Sequence, residues 1–508
     1  MSNTTRSIPL SPRRDSLVRR ALVLNTAHLG NRVVTGGFYT IAGIVIRTVL
    51  TIGSVAVLAR LLTPADFGYV AMATVITELA ALLGNFGFGN ILIQRPTIAR
   101  LHLDTIFWTS TALGSLLALL VFVLSVPASW AYDAPLTTDL LRVLSITFII
   151  NGMTVAPDVV LARLMMFRNL FWIQIGSLFL RATVAIVCAY FDLGVWSLVA
   201  GGVSGTLGGL LLTTLVVRYR PRFRFNGAYL RSIWWTSASY FGSGILYYAN
   251  TNVDLFLVGR QLGPTTLGFY QNARSITDEV RLRFAIPLQR VLFPAFSSLQ
   301  NDRERLQQST MRSGRLLAAM VFPVGIGIMS IAEELVPLLY GSRWLPMIPA
   351  LQMLALASAV RGSAAIATAI FNSQNRVGLA LKYNTVGSLL MIIGVLLTTS
   401  HGIGAVATAI AVTSLFALVS LQVAFRLIDL PRSSILRMFS PPVVASVAMW
   451  SSIYFIRGAT NHFELTSPPA LILHAAAGAV VYLGTLLLVA PNYFADFRAI
   501  IEKLGRTS

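Results

Sequence analysis

Apolar segments long enough to cross a bilayer follow one another almost without pause from residue 36 to residue 490. A helix needs about 20 apolar residues to span the hydrocarbon core. Inside that core every backbone N–H and C=O must find its partner within the segment or a closed barrel. Fourteen stretches meet the length requirement: 36–59, 67–93, 105–129, 140–162, 170–190, 194–217, 233–258, 265–297, 315–331, 347–371, 379–399, 402–425, 438–456 and 470–490. The expected fold class is therefore all-α integral membrane, with about 14 transmembrane helices. Only 11% of the 508 residues are charged, against about 25% in soluble domains, so a soluble core of this size would lack its polar coat.

The basic residues test the span count independently. With an even number of spans both termini lie on one side, and the loops alternate. The segments assigned to the terminal side carry 27 Lys and Arg, and the opposite loops carry Arg60, Arg260, Arg343 and Arg457. The positive-inside bias places the 27 in the cytoplasm. The net charge of +20, almost all arginine, is thus read as a topology signal, and nucleic acid is not an expected partner. The N-terminal segment, with six arginines and no apolar run before a small-residue cleavage site, is read as a cytoplasmic tail. Trp130, Trp196 and Trp344 fall at outer span ends, where interfacial belts and packing within a helix are equally good readings.

Two stretches 200 residues apart repeat a pattern. Arg60-Leu61-Leu62-Thr63-Pro64-Ala65-Asp66-Phe67-Gly68-Tyr69 matches Arg260-Gln261-Leu262-Gly263-Pro264-Thr265-Thr266-Leu267-Gly268-Phe269 in Arg, Leu, Pro and Gly. Gly176-Ser177-Leu178-Phe179 pairs with Gly387-Ser388-Leu389-Leu390, and Leu193-Gly194-Val195 with Ile403-Gly404-Ala405. Spans 1–6 thus resemble spans 7–12, as parallel repeats related by an axis along the membrane normal, of the kind that places a substrate site between halves. The expected division is a cytoplasmic tail 1–32, an N-lobe 33–218, a C-lobe 219–430, two further spans in 431–490 and a cytoplasmic tail 491–508.

Several classes fall away. The single cysteine, Cys188, permits no internal disulfide, and the five histidines show no metal-ligand spacing, so no metal or cofactor is expected. The longest outer loops, near 332–346 and 457–469, are too short to enclose a sugar. A membrane glycosyltransferase or polymerase would need a convergent acid or histidine site there.

With Ile91-Leu92-Ile93-Gln94-Arg95, Asp104-Thr105-Ile106-Phe107-Trp108, Asn252-Val253-Asp254-Leu255-Phe256-Leu257-Val258-Gly259-Arg260 and Arg290-Val291-Leu292-Phe293-Pro294-Ala295-Phe296-Ser297 added to the first repeat motif, the chain resembles the polysaccharide transporter family over roughly residues 33–430. These are the Wzx-type flippases of the multidrug/oligosaccharidyl-lipid/polysaccharide exporter superfamily. The resemblance implies two pseudo-symmetric six-helix lobes around a central cavity, plus two C-terminal helices. It implies alternating access for an undecaprenyl-pyrophosphate-linked oligosaccharide at the bacterial cytoplasmic membrane, serving exopolysaccharide, O-antigen or capsule synthesis. A polysaccharide polymerase and chain-length or export machinery are the partners it suggests. A drug or small-molecule antiporter of the same superfamily is the alternative.

Charge within a span is costly and marks a cavity or a partner. Arg47, Glu78, Arg181, Arg274, Asp278, Glu279, Arg281, Arg283 and Arg361 are the candidates for a substrate cavity. Arg47 leads, because an arginine fork can grip diphosphate oxygens; an ion pair with Glu78 or Asp278 is the competing reading. Arg274 and Asp278 stand i,i+4 and can neutralise each other. Asp254, with Asn250 and Asn252, could hold a coupling ion, Na+ or H+. A pair with Arg260 or a helix cap is the structural reading favoured for Asp254, and Asp158 near the cytoplasmic side is similar. Gly201, Gly205 and Gly209 make a close-packing face.

Overall fold

The computed structural model describes residues 16–22, 29–84, 88–460, 468–491 and 493. Those residues form helices joined by short turns, with no strand among them. Twelve of the described segments are long and apolar enough to cross a membrane. They coincide with the first six and last six of the fourteen expected spans. The other two expected spans fall on one helical run, Gly227–Ser298, of 72 residues. The side chains of 233–247 and 279–291 there lie outside the described residues. Twelve spans are thus identified among the described residues, and the other two expected spans lie partly outside them.

The repeated motif turns out to be a helix start. Pro64 opens the helix Pro64–Gly84, a position where its missing N–H is no loss. Thr63 precedes it, and both its backbone N and its Oγ1 donate to Asp66 Oδ2, at 2.8 and 2.7 Å. That is capping-box chemistry with a carboxylate three residues in. In the second copy Gly263 takes the place of Thr63. Its backbone sits at φ 79°, ψ 178°, breaking the 72-residue run into two helices. Only glycine visits that region freely. Gly194 and Gly402, both at positive φ, immediately precede the helices Val195–Val217 and Ile403–Ser414, and Gly404, the expected match of Gly194, lies inside the second of these.

The chain divides into two compact units, Met1–Asn252 and Val253–Ser508. In the first, the helices Phe167–Tyr190 and Val195–Val217 pack closely along the glycine face. A Cβ on Gly201 would stand 2.8 Å from the Arg181 carbonyl oxygen, and one on Gly205 would stand 2.7 Å from Arg181 Cβ. The glycine spacing therefore serves helix approach, and it seats Arg181.

One end of this unit, where residues 92–104, 163 and 219–222 gather, is tied by two buried polar residues. Arg163 is 5% exposed and donates five hydrogen bonds to the carbonyls of Ala21, Leu92, Ile93, Arg95 and Pro96, at 2.6–3.4 Å. Asp104 accepts from Tyr219 Oη at 2.6 Å, and Trp108 Nε1 donates to the Arg222 carbonyl at 2.9 Å. The motif Asp104–Trp108 thus anchors the basic loop that follows Val217. Burial, then the carboxylate it bonds, raises the Tyr219 hydroxyl pKa far above the ordinary phenol value.

In the second unit one core gathers Phe322 and Ile326 with Met438, Phe439, Met449, Ile453, Tyr482, Leu486 and Tyr493. The helices Ser433–Thr460 and Pro468–Val489 thus complete the wall of the helix Arg303–Leu339. Arg457 reinforces the contact, reaching Glu333 and Glu334 at 2.7 Å each. Trp344 is fully buried against Tyr340 and Phe269, so it is a core residue and no part of an interfacial belt. Trp130, by contrast, is 73% exposed.

Candidate functional site

The intramembrane charges fall into two groups, those neutralised within their own unit and those left open. In the second unit Arg274 lies between two carboxylates. Its Nη1 meets Asp254 Oδ1 at 2.8 Å and its Nε meets Asp278 Oδ2 at 3.2 Å. Tyr270 Oη donates to the other Asp254 oxygen at 2.7 Å. The expected i,i+4 pair forms, and Asp254 pairs with Arg274 in addition. The helix break at Gly263 folds the chain so that residues 254 and 274 meet, which sequence spacing does not reveal. With Oδ1 held by a guanidinium and Oδ2 by a phenol, Asp254 is engaged structurally. Asn252 Nδ2 donates to Glu78 Oε2 at 3.3 Å in the first unit. Arg361 is half-buried in the last turn of the helix Ile348–Ser363. The side chains of Asn250, Glu279, Arg281 and Arg283 lie outside the described residues.

In the first unit, Arg47 and Arg181 have no carboxylate partner among the described residues. Arg47 lies in the apolar stretch of the helix Leu29–Leu61, beside exposed Val45, Ile46 and Val49. Its Nε donates to the Gly43 carbonyl at 3.1 Å and its Nη1 to Gln174 Oε1 at 2.8 Å. The competing reading, an ion pair with Glu78 or Asp278, is not what forms: the partner is a neutral amide. Gln174 escaped the sequence reading, although an amide inside an apolar span is itself a signal of interhelical hydrogen bonding.

Gln174 also lines a cavity of about 370 Å³. Its walls are the helices Ile146–Arg163, Phe167–Tyr190 and Val195–Val217. Asp158 and Arg181 line it together with Asn151, Thr154, Ser177 and Thr206. Guanidinium groups present planar forks of donors that match phosphate oxygens. Arg181 lines this cavity and Arg47 borders it through Gln174, two guanidinium groups against the one carboxylate of Asp158, a balance that suits an anion better than a cation.

The twelve apolar helices among the described residues, each long enough to cross a bilayer, define a multi-pass membrane protein. The fold is shared with the lipid II flippase MurJ in an inward closed conformation, at TM-score 0.70 and 13% identity over 91% of this chain and 100% of that one. An inward-facing multidrug resistance MATE family transporter superposes at TM-score 0.60 with 14% identity, over 75% and 94%. The chain belongs to the polysaccharide biosynthesis protein family, whose pattern matches residues 57–349. The lipopolysaccharide biosynthesis protein WzxC of Escherichia coli (strain K12) is 28% identical over 403 residues, 77% of this chain and 79% of that protein. The succinoglycan biosynthesis transport protein ExoT of Rhizobium meliloti (strain 1021) is 30% identical over 313 residues, covering 60% and 62%. The teichuronic acid biosynthesis protein TuaB of Bacillus subtilis (strain 168) is 24% identical over 467 residues, covering 91% and 96%.

Proposed function

We propose that this protein is a flippase that moves undecaprenyl-diphosphate-linked oligosaccharide units across the bacterial cytoplasmic membrane by alternating access, for the synthesis of a surface polysaccharide. Family membership and the fold shared with a lipid II flippase support the reading. The observation that carries it is Arg47, a guanidinium at span depth held by a neutral amide and a backbone carbonyl. Such a group retains its charge for a ligand, and a diphosphate is the anion that a lipid-linked sugar brings. A drug–cation exporter calls for acidic residues in the corresponding place. The arginine distribution between loops supports cytoplasmic termini. A polymerase and chain-length or export machinery are the partners that would receive the flipped unit.

Deletion of the gene is expected to accumulate complete lipid-linked units on the cytoplasmic face and to abolish the polymer. Accumulation of an incomplete unit would point to an enzymatic step instead. In the same strain Arg47→Ala is expected to leave protein level intact and abolish export, with Arg47→Lys restoring part of it. Full export by the Ala variant removes Arg47 from the mechanism.

A further inference from the structure

Between the helices Val195–Val217 and Gly227–Ser298 runs the segment Arg218-Tyr219-Arg220-Pro221-Arg222-Phe223-Arg224-Phe225-Asn226, with arginine at every second position from 218 to 224. In extended chain, successive side chains point to opposite faces. Tyr219 is accordingly buried, while Arg218 and Arg220 are exposed. A tight turn follows, in which the Arg224 N–H donates to the Arg222 carbonyl at 2.7 Å. Here Phe223 is 90% exposed and Phe225 58%.

The segment is fastened to the start of the helix Arg100–Tyr132. Asp104 Oδ1 accepts from the Tyr219 hydroxyl at 2.6 Å and from the Arg222 N–H at 3.4 Å. Thr105 Oγ1 accepts from the Asn226 N–H at 3.1 Å. Arg100 Nη2 and Trp108 Nε1 donate to the carbonyls of Arg220 and Arg222, at 3.1 and 2.9 Å. The Trp108 ring stacks on Phe223, with centroids 4.6 Å apart. A loop that serves topology alone needs charge and no set conformation, because the bias is counted in residues. This one is held so that its arginines and two phenyl rings face out.

Depth and charge say what they face. The helix Val195–Val217 has 23 residues, ~34 Å at ~1.5 Å per residue, close to the ~30 Å of the hydrocarbon core. The segment therefore starts at the headgroup boundary, on the side that the arginine bias between loops assigns to the cytoplasm. Among the described residues the side chains of Arg218, Arg220, Arg222 and Arg224 have no hydrogen-bond or ion-pair partner. Asp133 and Asp192 lie at the opposite ends of the helices Arg100–Tyr132 and Val195–Val217. In the second unit, by contrast, Arg303 and Arg305 pair with Asp429 and Asp302.

We infer that this segment is a binding surface for anionic phospholipid. Arg218, Arg220, Arg222 and Arg224 seat the phosphodiester headgroups, and Phe223 and Phe225 enter the adjoining acyl boundary. Guanidinium forks match phosphate oxygens, and basic residues beside apolar rings bind an interface by charge and buried area together. A zwitterionic headgroup brings its own cation, which opposes the arginines. A soluble anion would leave both phenyl rings in water. The surface is separate from the cargo, so it stands whether or not the flippase reading does.

Purified full-length protein in neutral detergent is titrated with dioleoyl phosphatidylglycerol or dioleoyl phosphatidylcholine, and bound lipid is counted by native mass spectrometry. An arginine near an anionic surface is worth roughly fivefold in affinity. The wild type is expected to prefer phosphatidylglycerol by about tenfold or more. Arg222→Gln with Arg224→Gln is expected to remove most of that preference, and adding Arg218→Gln with Arg220→Gln to abolish it. Arg426→Gln, Arg432→Gln and Arg437→Gln together, which remove exposed charge elsewhere, are expected to leave it intact. Thermal melts show which variants are folded, and the double variant decides the matter if the quadruple one is not. Equal binding of the two lipids by the wild type overturns the inference. So does a preference that the double variant keeps, or that the 426/432/437 variant loses equally. Displacement of phosphatidylglycerol by inorganic diphosphate assigns the arginines to a soluble anion and overturns it as well. Polysaccharide export in the deletion strain tests the flippase reading separately.

Discussion

Replacing Arg274 by Ala isolates the energetics of the buried cluster in the second unit. The Asp254 side chain is 6% exposed and that of Asp278 is 32% exposed. The two contacts are therefore unequal. A partly exposed i,i+4 pair such as Arg274–Asp278 is worth only ~0.3–0.5 kcal/mol. Removing one partner of a buried pair leaves an uncompensated charge and costs about 3–5 kcal/mol. Nearly all the loss should come from Asp254, which would keep only its hydrogen bond from Tyr270. Arg274→Ala is thus expected to destabilise the protein by about 3–5 kcal/mol. Arg274→Ala combined with Asp254→Asn should recover most of that, because removing both charges also removes the burial penalty. Detergent-solubilised protein unfolded by heat or denaturing detergent, followed by tryptophan fluorescence, gives the double-mutant cycle. An Ala variant within ~0.5 kcal/mol of wild type, the range of an ordinary surface change, refutes the reasoning. So does a double variant whose loss equals the sum of its singles.

Arg163→Met strips four carbonyls of bonds at 3.0 Å or less. At about 1–3 kcal/mol per buried unsatisfied group, melting is expected to fall by 3 kcal/mol or more, and proteolysis should first cut near residue 95. Gly205→Val drives a branched side chain into Arg181 Cβ. It is expected to cost ~1–3 kcal/mol by overpacking, read from thermal melts. A variant that melts like wild type would refute the close approach.

Features that depend on local chemistry were legible in the sequence. Arg274 with Asp278 needs only helical spacing to meet. The glycine spacing at 201 and 205 reads as helix approach for the same reason. Pro64 with Thr63 and Asp66, by contrast, stands out only as a repeat between spans, and its role as a helix start comes from the structure. What else escaped depended on which helices become neighbours. Arg163 reads as one more cytoplasmic positive charge, because its five acceptors are backbone carbonyls that carry no sequence signature. Asp254 looks bound for Arg260, six residues away, until the turn at Gly263 delivers Arg274. Gln174 was overlooked because it is neutral, though it holds Arg47 and borders the cavity.

The last two helices set a timetable for biogenesis. The core beside Arg303–Leu339 includes Tyr482, whose hydroxyl bonds the Ala319 carbonyl, and Tyr493, whose hydroxyl bonds that of Met438. Ribosomes add roughly 5–20 residues per second. The helix Arg303–Leu339 therefore waits roughly 8–30 seconds in the membrane for its final neighbours. Through that interval Glu333 and Glu334 stand without Arg457, and an apolar flank stays open to other nascent chains. A stop codon after residue 430 would make that interval permanent, leaving a chain that inserts, carries the whole matched segment 57–349, and is handed to the membrane proteases.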